Sequence, residues 1–134
     1  VEGTQATLSQ LRARVLHLGI ATNDSEAGIV NSLEQHGVLG YFDFLVGFDS
    51  GHGAKPGPGM VEAFCRARGL QAHEVCVVGD TSNDMAMGEN AGVGFKLGVL
   101  TGPSAREDLE PIADLVLDSI AEMPGSAEFL ARLG

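Results

Sequence analysis

Short apolar runs alternate with polar turns and helix-like stretches along the whole chain. The clearest run, residues 75–78, passes without a break into a polar cluster that extends from Gly79 to Asp84. An unbroken apolar run of this length is typical of a strand buried on both faces, as in a parallel sheet. The polar cluster can cap a helix that ends at Gly92. A strand, a tight turn and a helix in this order mark the place where an open α/β sheet binds its ligands.

The same alternation continues on both sides of this segment. Strict alternation of strand and helix predicts an α/β fold with a parallel sheet. Strands are predicted at residues 15–21, 41–48, 75–79, 93–100 and 113–117, and helices at residues 7–14, 26–36, 60–68, 85–92, 104–109 and 126–133.

Composition narrows the class of protein. The 134 residues fit one domain, and a hydrophobic content of 44% is enough for a core. The net charge of −10 argues against nucleic acid as a partner. No apolar run approaches the roughly 18 residues of a membrane-spanning helix, and the first residues do not resemble a signal peptide. We therefore expect a cytoplasmic protein with no membrane partner, in which Cys65 and Cys76 are free thiols.

Polar side chains that suit phosphate chemistry follow three of the predicted strands. These are Thr22 and Asn23 after the first strand, Lys55 in the loop after the second, and Asp80 with Asp84 after the third. Because the carboxyl ends of parallel strands converge on one edge of a sheet, we expect these groups to face one small volume. A hydroxyl, an ammonium and two carboxylates can hold a phosphate and a Mg²⁺ ion, which needs only one or two carboxylates.

Each of these residues also has an ordinary structural interpretation. Thr22 can be a plain helix N-cap and Lys55 an exposed surface lysine. Residues 80–84 can be no more than turn and cap chemistry. Their order at successive strand ends is what favours a shared site.

The segments around these positions resemble three motifs of the haloacid dehalogenase (HAD) superfamily, most of all its phosphoglycolate-phosphatase-like branch. Residues 18–23 resemble the motif whose threonine binds the phosphoryl group, residues 54–58 the motif whose lysine orients nucleophile and phosphate, and residues 77–84 the motif whose acids hold Mg²⁺. The resemblance implies catalytic roles for Lys55 and Thr22, phosphate binding by Thr22, Asn23 and Lys55, and Mg²⁺ binding by Asp80 and Asp84.

The chain departs from the family at the nucleophile. The family's attacking aspartate lies in a DxDGT-like motif at the end of its first strand, and no such motif occurs in this sequence. The helical cap that selects the substrate in this branch is absent as well. We therefore interpret residues 1–134 as the C-terminal part of a HAD-like, Rossmann-like three-layer core that lacks the N-terminal strand and the cap, and we expect it to be inactive alone.

Three functions remain open. The resemblance implies a Mg²⁺-dependent phosphatase that acts on a small phosphorylated metabolite. A 2-haloacid dehalogenase shares the fold, attacks carbon and needs no Mg²⁺, and the paired acids at positions 80 and 84 favour the phosphatase over it. A non-catalytic remnant that serves as a binding or assembly module is favoured by the missing nucleophile.

The resemblance also predicts a defect in the sheet. In the family, the missing strand lies between the strand that ends at Thr22 and the strand that ends at Asp80. Its absence would leave a gap of roughly 9.6 Å, which is two strand spacings. Several buried backbone groups without partners, at about 1–3 kcal/mol each, would exceed a typical stability of about 5–15 kcal/mol. We therefore expect poor folding, a rearrangement in which the two strands pair, or completion by an N-terminal segment or a second chain.

Overall fold

A computed structural model describes residues 4–15, 17–102 and 104–132. Helices and strands alternate through these ranges as the sequence predicts. The helices are α1 (Thr4–Arg14), α2 (Glu26–Gln35), α3 (Gly59–Arg68), α4 (Ser82–Ala91), α5 (Arg106–Leu109) and α6 (Ala127–Arg132). The strands are β1 (Gly19–Ala21), β2 (Phe44–Val46), β3 (Cys76–Gly79), β4 (Phe95–Val99) and β5 (Leu115–Leu117).

The order of elements is confirmed, but the strands are shorter than predicted. The sequence predicts the first strand from Val15, but the Val15 N–H bonds to the Leu11 carbonyl and continues the last turn of α1. The second strand is predicted from Tyr41, yet residues 39–41 form a 3₁₀ turn. Parts of two predicted segments, at Leu16 and Leu133, lie outside the described residues. An apolar run shows that a segment is buried, but not where its strand pairing stops.

All strand pairs among the described residues are parallel, and they form two sheets. The strand β1 pairs with β2, and a second sheet has the order β3–β4–β5. Within the described residues, no strand pairs with the other edge of β1 or with the other edge of β3. The prediction of a parallel α/β fold is thus confirmed. The two strands predicted to flank a gap lie in separate sheets, so the rearrangement that pairs them is not observed.

Helices cover both faces of the strands and make three layers. On one face, α3 and α4 pack over the strands through a cluster that includes Val46, Met60, Val77 and Met85. This cluster contains residues of both sheets, so the two sheets share one core. On the other face, α1 and α6 pack over β4 through a second cluster that includes Leu97.

One side chain marks the unpaired edge of the larger sheet. Val78 of β3 is 38% exposed and is the one large hydrophobic residue that is exposed in the part of the chain that the structure describes. Its neighbour Val77, on the opposite face of the strand, is buried in the shared core. The sequence predicts that this strand is buried on both faces, but β3 is covered on one face and partly exposed on the other.

The cysteines lie where the sequence predicts. Cys65 is in α3 and Cys76 in β3, both as half-buried free thiols. Burial, with a smaller effect of the Asp114 charge, raises the pKa of the Cys76 thiol to about 12. Among the described residues, no helix combines the length and the apolar character needed to cross a bilayer.

Candidate active site

The centre of the site is an ion pair between two of the predicted residues. Lys55 Nζ donates a hydrogen bond of 2.5 Å to Asp84 Oδ1. Only 17% of the Lys55 side chain and 8% of the Asp84 side chain are exposed. Burial alone would raise the pKa of Asp84, but the hydrogen bond and charge of Lys55 outweigh it and hold that pKa below its usual value. Asp84 is therefore ionised at neutral pH and holds the ammonium in place, so the interpretation of Lys55 as a merely exposed lysine is wrong.

The second oxygen of Asp84 organises the turn after β3. Oδ2 accepts the backbone N–H groups of Asp80 and Thr81 at 3.1 and 3.2 Å, and the Thr81 hydroxyl at 3.0 Å. Thr81 Oγ1 in turn accepts the Asp84 N–H, which completes a capping box at the start of α4. A Cβ atom on Gly79 would lie 2.2 Å from Asp84 Cβ. Glycine is therefore required at this position for the carboxylate to fold back onto the turn.

Asn23 holds the backbone of Lys55. Its Oδ1 accepts the Lys55 N–H at 2.8 Å, and its Nδ2 donates to the Lys55 carbonyl at 3.4 Å. These two bonds tie the turn after β1 to the loop after β2. The side-chain amide is occupied in this way, so the predicted phosphate contact of Asn23 depends on its backbone N–H and stays a prediction.

Thr22 follows β1 directly. Its N–H donates to the Val46 carbonyl at 3.1 Å and extends the pairing of β1 with β2 by one residue. Its Oγ1 accepts the Asp24 N–H at 3.0 Å, which leaves the proton of the hydroxyl for another acceptor. The N-cap of α2 is Ser25, whose hydroxyl accepts the Gly28 N–H. The interpretation of Thr22 as a plain helix cap is therefore wrong.

Asp80 presents a carboxylate that the rest of the described chain does not use. A Cβ atom on Gly102 would lie 2.1 Å from Asp80 Oδ2, so this side chain rests against bare backbone in the turn after β4. No hydrogen-bond donor of the described residues engages the Asp80 carboxylate, whereas both oxygens of Asp84 are bound. Asp80 is thus the available carboxylate of the predicted pair.

The site offers an open position for a metal ion, not a closed cage. Within the residues that the structure describes, no three His, Cys, Asp or Glu side chains converge to hold a metal. Mg²⁺ keeps several water ligands and needs only one or two protein carboxylates, so the free carboxylate of Asp80 fits this ion. The role of Asp84 as a second ligand stays a prediction, since Lys55 and the turn occupy its oxygens.

Three contributors to the site were missed at the sequence level. Asn90, in the last turn of α4, donates from Nδ2 to the Pro56 carbonyl at 2.9 Å, and Gly102 makes room for Asp80. Both contacts join residues that are far apart in the chain, so no local pattern indicates them. Thr81 stands three residues before Asp84, which is the spacing of a capping box and could have been recognised.

Most of the chain matches the model of a known protein family. A family model described as haloacid dehalogenase-like hydrolase matches residues 1–107. The chain belongs to the haloacid dehalogenase-like hydrolase family. The resemblance inferred from the three motifs is thereby confirmed, and so is the assignment to a family of hydrolases.

Relatives of this haloacid dehalogenase-like chain carry phosphatase names. Phosphoglycolate phosphatase of Chromobacterium violaceum is 34% identical over 121 residues, which cover 90% of this chain and 53% of that protein. Pyrophosphatase PpaX of Halalkalibacterium halodurans is 33% identical over 92 residues, which cover 69% of this chain and 43% of that protein. The chain thus spans about half the length of the curated relatives that it matches.

A solved haloacid dehalogenase-like structure shares the fold. The HAD family hydrolase of Deinococcus radiodurans, determined with bound phosphate and sodium, superposes with a TM-score of 0.86 at 23% identity. The match covers 98% of this chain and 60% of that chain. At this level of identity the likeness concerns the fold alone, and it confirms the predicted HAD-like α/β core.

Proposed function

We propose that these residues form part of the active site of a Mg²⁺-dependent phosphatase that acts on a small phosphorylated metabolite. The observation that carries the proposal is the hydrogen-bonded chain that runs from Asn23 through Lys55 and Asp84 to Asp80. It joins the turns after β1, β2 and β3 and links the residue that carries the ammonium to the residue that carries the available carboxylate. Three strand ends of a parallel fold thus contribute to one polar site, as in other α/β proteins that bind ligands at this edge.

The roles of the residues follow from their charges and bonding capacity. The Lys55 ammonium, the Thr22 hydroxyl and the backbone N–H of Asn23 bind the phosphoryl oxygens and stabilise their charge. Asp80 holds the metal ion; Mg²⁺, when bound there, neutralises negative charge on the phosphoryl group. Asp84 keeps Lys55 oriented, because its Oδ1 accepts the hydrogen bond of the ammonium.

The nucleophile belongs, in this proposal, to a polypeptide segment upstream of Val1. The open edges of β1 and β3 support it, since a parallel strand between them would end between Thr22 and Asp80. An aspartate at that strand end would form a bond from its carboxylate oxygen to phosphorus while the ester bond to the leaving group breaks. A second aspartate would give the leaving group its proton.

The relatives support two classes of substrate. The match to phosphoglycolate phosphatase favours a small phosphate monoester of a carboxylic acid, and this is the first candidate. The match to a pyrophosphatase favours inorganic pyrophosphate as the second. Lys55 and the Mg²⁺ ligand Asp80 serve either substrate, because both present a phosphoryl group with a negatively charged neighbour.

The experiment that tests the proposal uses the complete polypeptide, with the segment encoded upstream of these residues. Phosphate release from phosphoglycolate, pyrophosphate and p-nitrophenyl phosphate is measured with Mg²⁺ and with EDTA. We expect Mg²⁺-dependent turnover that falls at least about 100-fold in Lys55→Ala and Asp80→Asn. Arg106→Ala, at an exposed position on α5, serves as the control and should retain full activity.

Two results would contradict the proposal of a phosphatase. Halide release from a 2-haloacid that persists in EDTA would identify a dehalogenase. An absence of turnover with every substrate, in a complete polypeptide that contains no DxD motif after an apolar run, would identify a non-catalytic binding or assembly module.

A further inference from the structure

The loop that carries Lys55 is held by α4 at two points, and the proposed chemistry uses only one of them. Asp84, in the first turn of the helix, accepts the hydrogen bond from Lys55 Nζ. Asn90, in the last turn, donates its Nδ2 hydrogen bond to the carbonyl of Pro56, the residue that follows Lys55. We propose that Asn90 is a positioning residue for Lys55. The inference rests on the proposed function only in so far as Lys55 takes part in the reaction.

The hydrogen bonds around Lys55 leave its segment little freedom. Asn23 binds both the N–H and the carbonyl of Lys55 from the turn after β1. Asn90, in α4, binds the next carbonyl, and Asp84 binds the ammonium. The backbone of Lys55 and Pro56 is thus bound by two side-chain amides, one from the turn after β1 and one from α4. Without the Asn90 amide, Asp84 still holds the Lys55 ammonium, but the backbone of the loop loses its hydrogen bond to α4.

The composition of the loop explains why such contacts are needed. Gly51, Gly53, Gly57 and Gly59 all fall within residues 51–59, and Gly51 and Gly53 have positive φ angles of 89° and 84°. Glycine-rich segments have many accessible conformations, so bonds to neighbouring elements must select one of them. The contacts of Asn23, Asn90 and Asp84 therefore help to select the position of Lys55.

Asn90 is exposed. Its substitution should therefore affect the position of Lys55 without a large change in the stability of the fold. Its side chain belongs to neither of the two core clusters, and water can replace its hydrogen bond to the Pro56 carbonyl. Loss of the side chain should leave the fold intact and release one side of the loop. A displacement of a catalytic group by about 1 Å can reduce a rate by about 100-fold. A small shift of Lys55 should therefore be detectable as a large loss of activity.

The first test needs no enzymatic activity. Trace acetylation of the complete polypeptide at pH 8 is followed by peptide mass spectrometry, with Lys96 as the internal reference. In Asn90→Ala and in Asn90→Asp, which keeps the shape but lacks the N–H donor, acetylation of Lys55 relative to Lys96 should rise at least about threefold, because the released side chain is more accessible to the reagent, which reacts with the neutral amine. Asn31→Ala and Asn31→Asp, at an exposed position of α2, are the matched controls and should not change this ratio.

Two outcomes would overturn the inference. One is an unchanged Lys55 ratio in both Asn90 variants. The other is a parallel rise at Lys55 and Lys96 together with a lowered melting temperature, which would assign to Asn90 a general structural role.

The second test separates this inference from the proposed function. If the complete polypeptide is a phosphatase, Asn90→Ala should lower kcat/KM by about 10-fold or more, and Asn90→Gln, which keeps an amide donor, should restore part of the loss. If no phosphatase activity is found while Lys55 acetylation rises in the Asn90 variants, the positioning contact stands and the proposed function fails. A fully active phosphatase in which Asn90→Ala changes neither kcat/KM nor acetylation contradicts the positioning role alone.

Discussion

The two sheets are built from the same kind of parallel pairing, yet they differ in how completely they are enclosed. In the larger sheet β4 has a partner on both sides, and its residues Phe95, Leu97 and Val99 are all buried. In the smaller sheet each strand has one partner, and Val46 is the one strand residue that is buried. Two strands alone are marginally stable in water and need packing against a helix, whereas three or more strands with a covered face can be stable on their own. The larger sheet is therefore the framework, and the smaller one depends on the elements packed against it.

The attachment is made by side chains, since strand pairing does not join the sheets within the described residues. The apolar part is the shared core, in which Met60 of α3 and Met85 of α4 are almost fully buried. The polar part is the Lys55–Asp84 ion pair with the contact of Asn90 to Pro56. The candidate active site thus lies on the boundary between the sheets and also holds them together.

The strongest test of this comparison removes the buried carboxylate at the boundary. Asp84→Ala should lower the free energy of unfolding by about 3–5 kcal/mol, because Lys55 is left buried without its counter-charge and the turn after β3 loses three hydrogen bonds. Urea unfolding followed by circular dichroism measures the change.

The matched control for Asp84 is an exposed ion pair. Asp118, with 78% of its side chain exposed, lies 3.6 Å from Arg106. Asp118→Ala should lower stability by less than about 1 kcal/mol. Equal losses in the two variants would show that the boundary contact is no more important than a surface pair.

Amide hydrogen exchange compares the sheets directly. The amides of β4 should exchange about 100-fold more slowly than those of β2, which corresponds to about 2.7 kcal/mol in opening free energy. The physical reason is that β4 can open only when both of its neighbours separate from it. Uniform protection across both sheets would mean that they unfold as one unit, and the distinction drawn between framework and attachment would be wrong.

A smaller effect is expected where a glycine makes room for the carboxylate. Gly79→Ala places a methyl group 2.2 Å from Asp84 Cβ and should destabilise the protein by about 1–3 kcal/mol. Gly40→Ala is the control, since nothing lies within 4 Å of a Cβ at that position, and it should change stability by less than about 0.5 kcal/mol. Thermal unfolding of both variants gives the comparison, and a Gly79→Ala protein as stable as Gly40→Ala would contradict the close approach.

The smallest expected effect is the loss of stability at low pH that results from protonation of Asp43, which lies just before β2. Asp43 accepts a hydrogen bond of 2.9 Å from His17 Nδ1 and lies 3.8 Å from guanidinium nitrogens of Arg12 and Arg68. Burial would raise the pKa of Asp43, but the His17 hydrogen bond and the charges of Arg68, His17 and Arg12 lower it below the usual value. Because the pKa is lower in the folded state, the contribution to stability is present above about pH 4 and is lost as the pH falls through the lowered value.

Asp43→Asn tests this contribution. The stability difference between the natural sequence and Asp43→Asn should be about 1 kcal/mol or less above about pH 4 and should shrink as the pH is lowered further. Urea unfolding at a series of acidic pH values measures it. A difference that stays constant to the lowest pH would show that the charge of Asp43 makes no contribution.

The fold could be predicted well because its signal is local. Each apolar run identifies its own strand, and the alternation of runs with helical stretches gives the α/β class. The division into two sheets could not be read from these patterns. Residues 75–78 have the same apolar character whether β3 has one partner or two, and only the family resemblance indicated a gap beside it.

The site could be predicted in outline for the same reason. Thr22, Lys55 and Asp80 each follow a strand, and the geometry of a parallel sheet brings strand ends together. The residues that contact these site residues and their neighbours could not be predicted from local patterns. Asn90 contacts Pro56, and Gly102 contacts Asp80, through folding of distant segments. The sequence also could not show that Lys55 would occupy one oxygen of Asp84.

The order of strand pairing has a consequence for synthesis on the ribosome. Every strand pair in the described sheets joins strands that are neighbours along the chain, so each can form as soon as its second member emerges. A strand that fills the gap from upstream, as proposed, would emerge before either of its neighbours. Roughly 60 residues separate the end of β1 from the end of β3, and their translation takes about 3–12 s at about 5–20 residues per second. During those seconds only one edge of the strand that carries the nucleophile would have a partner, and its other edge would be open to pairing with another chain.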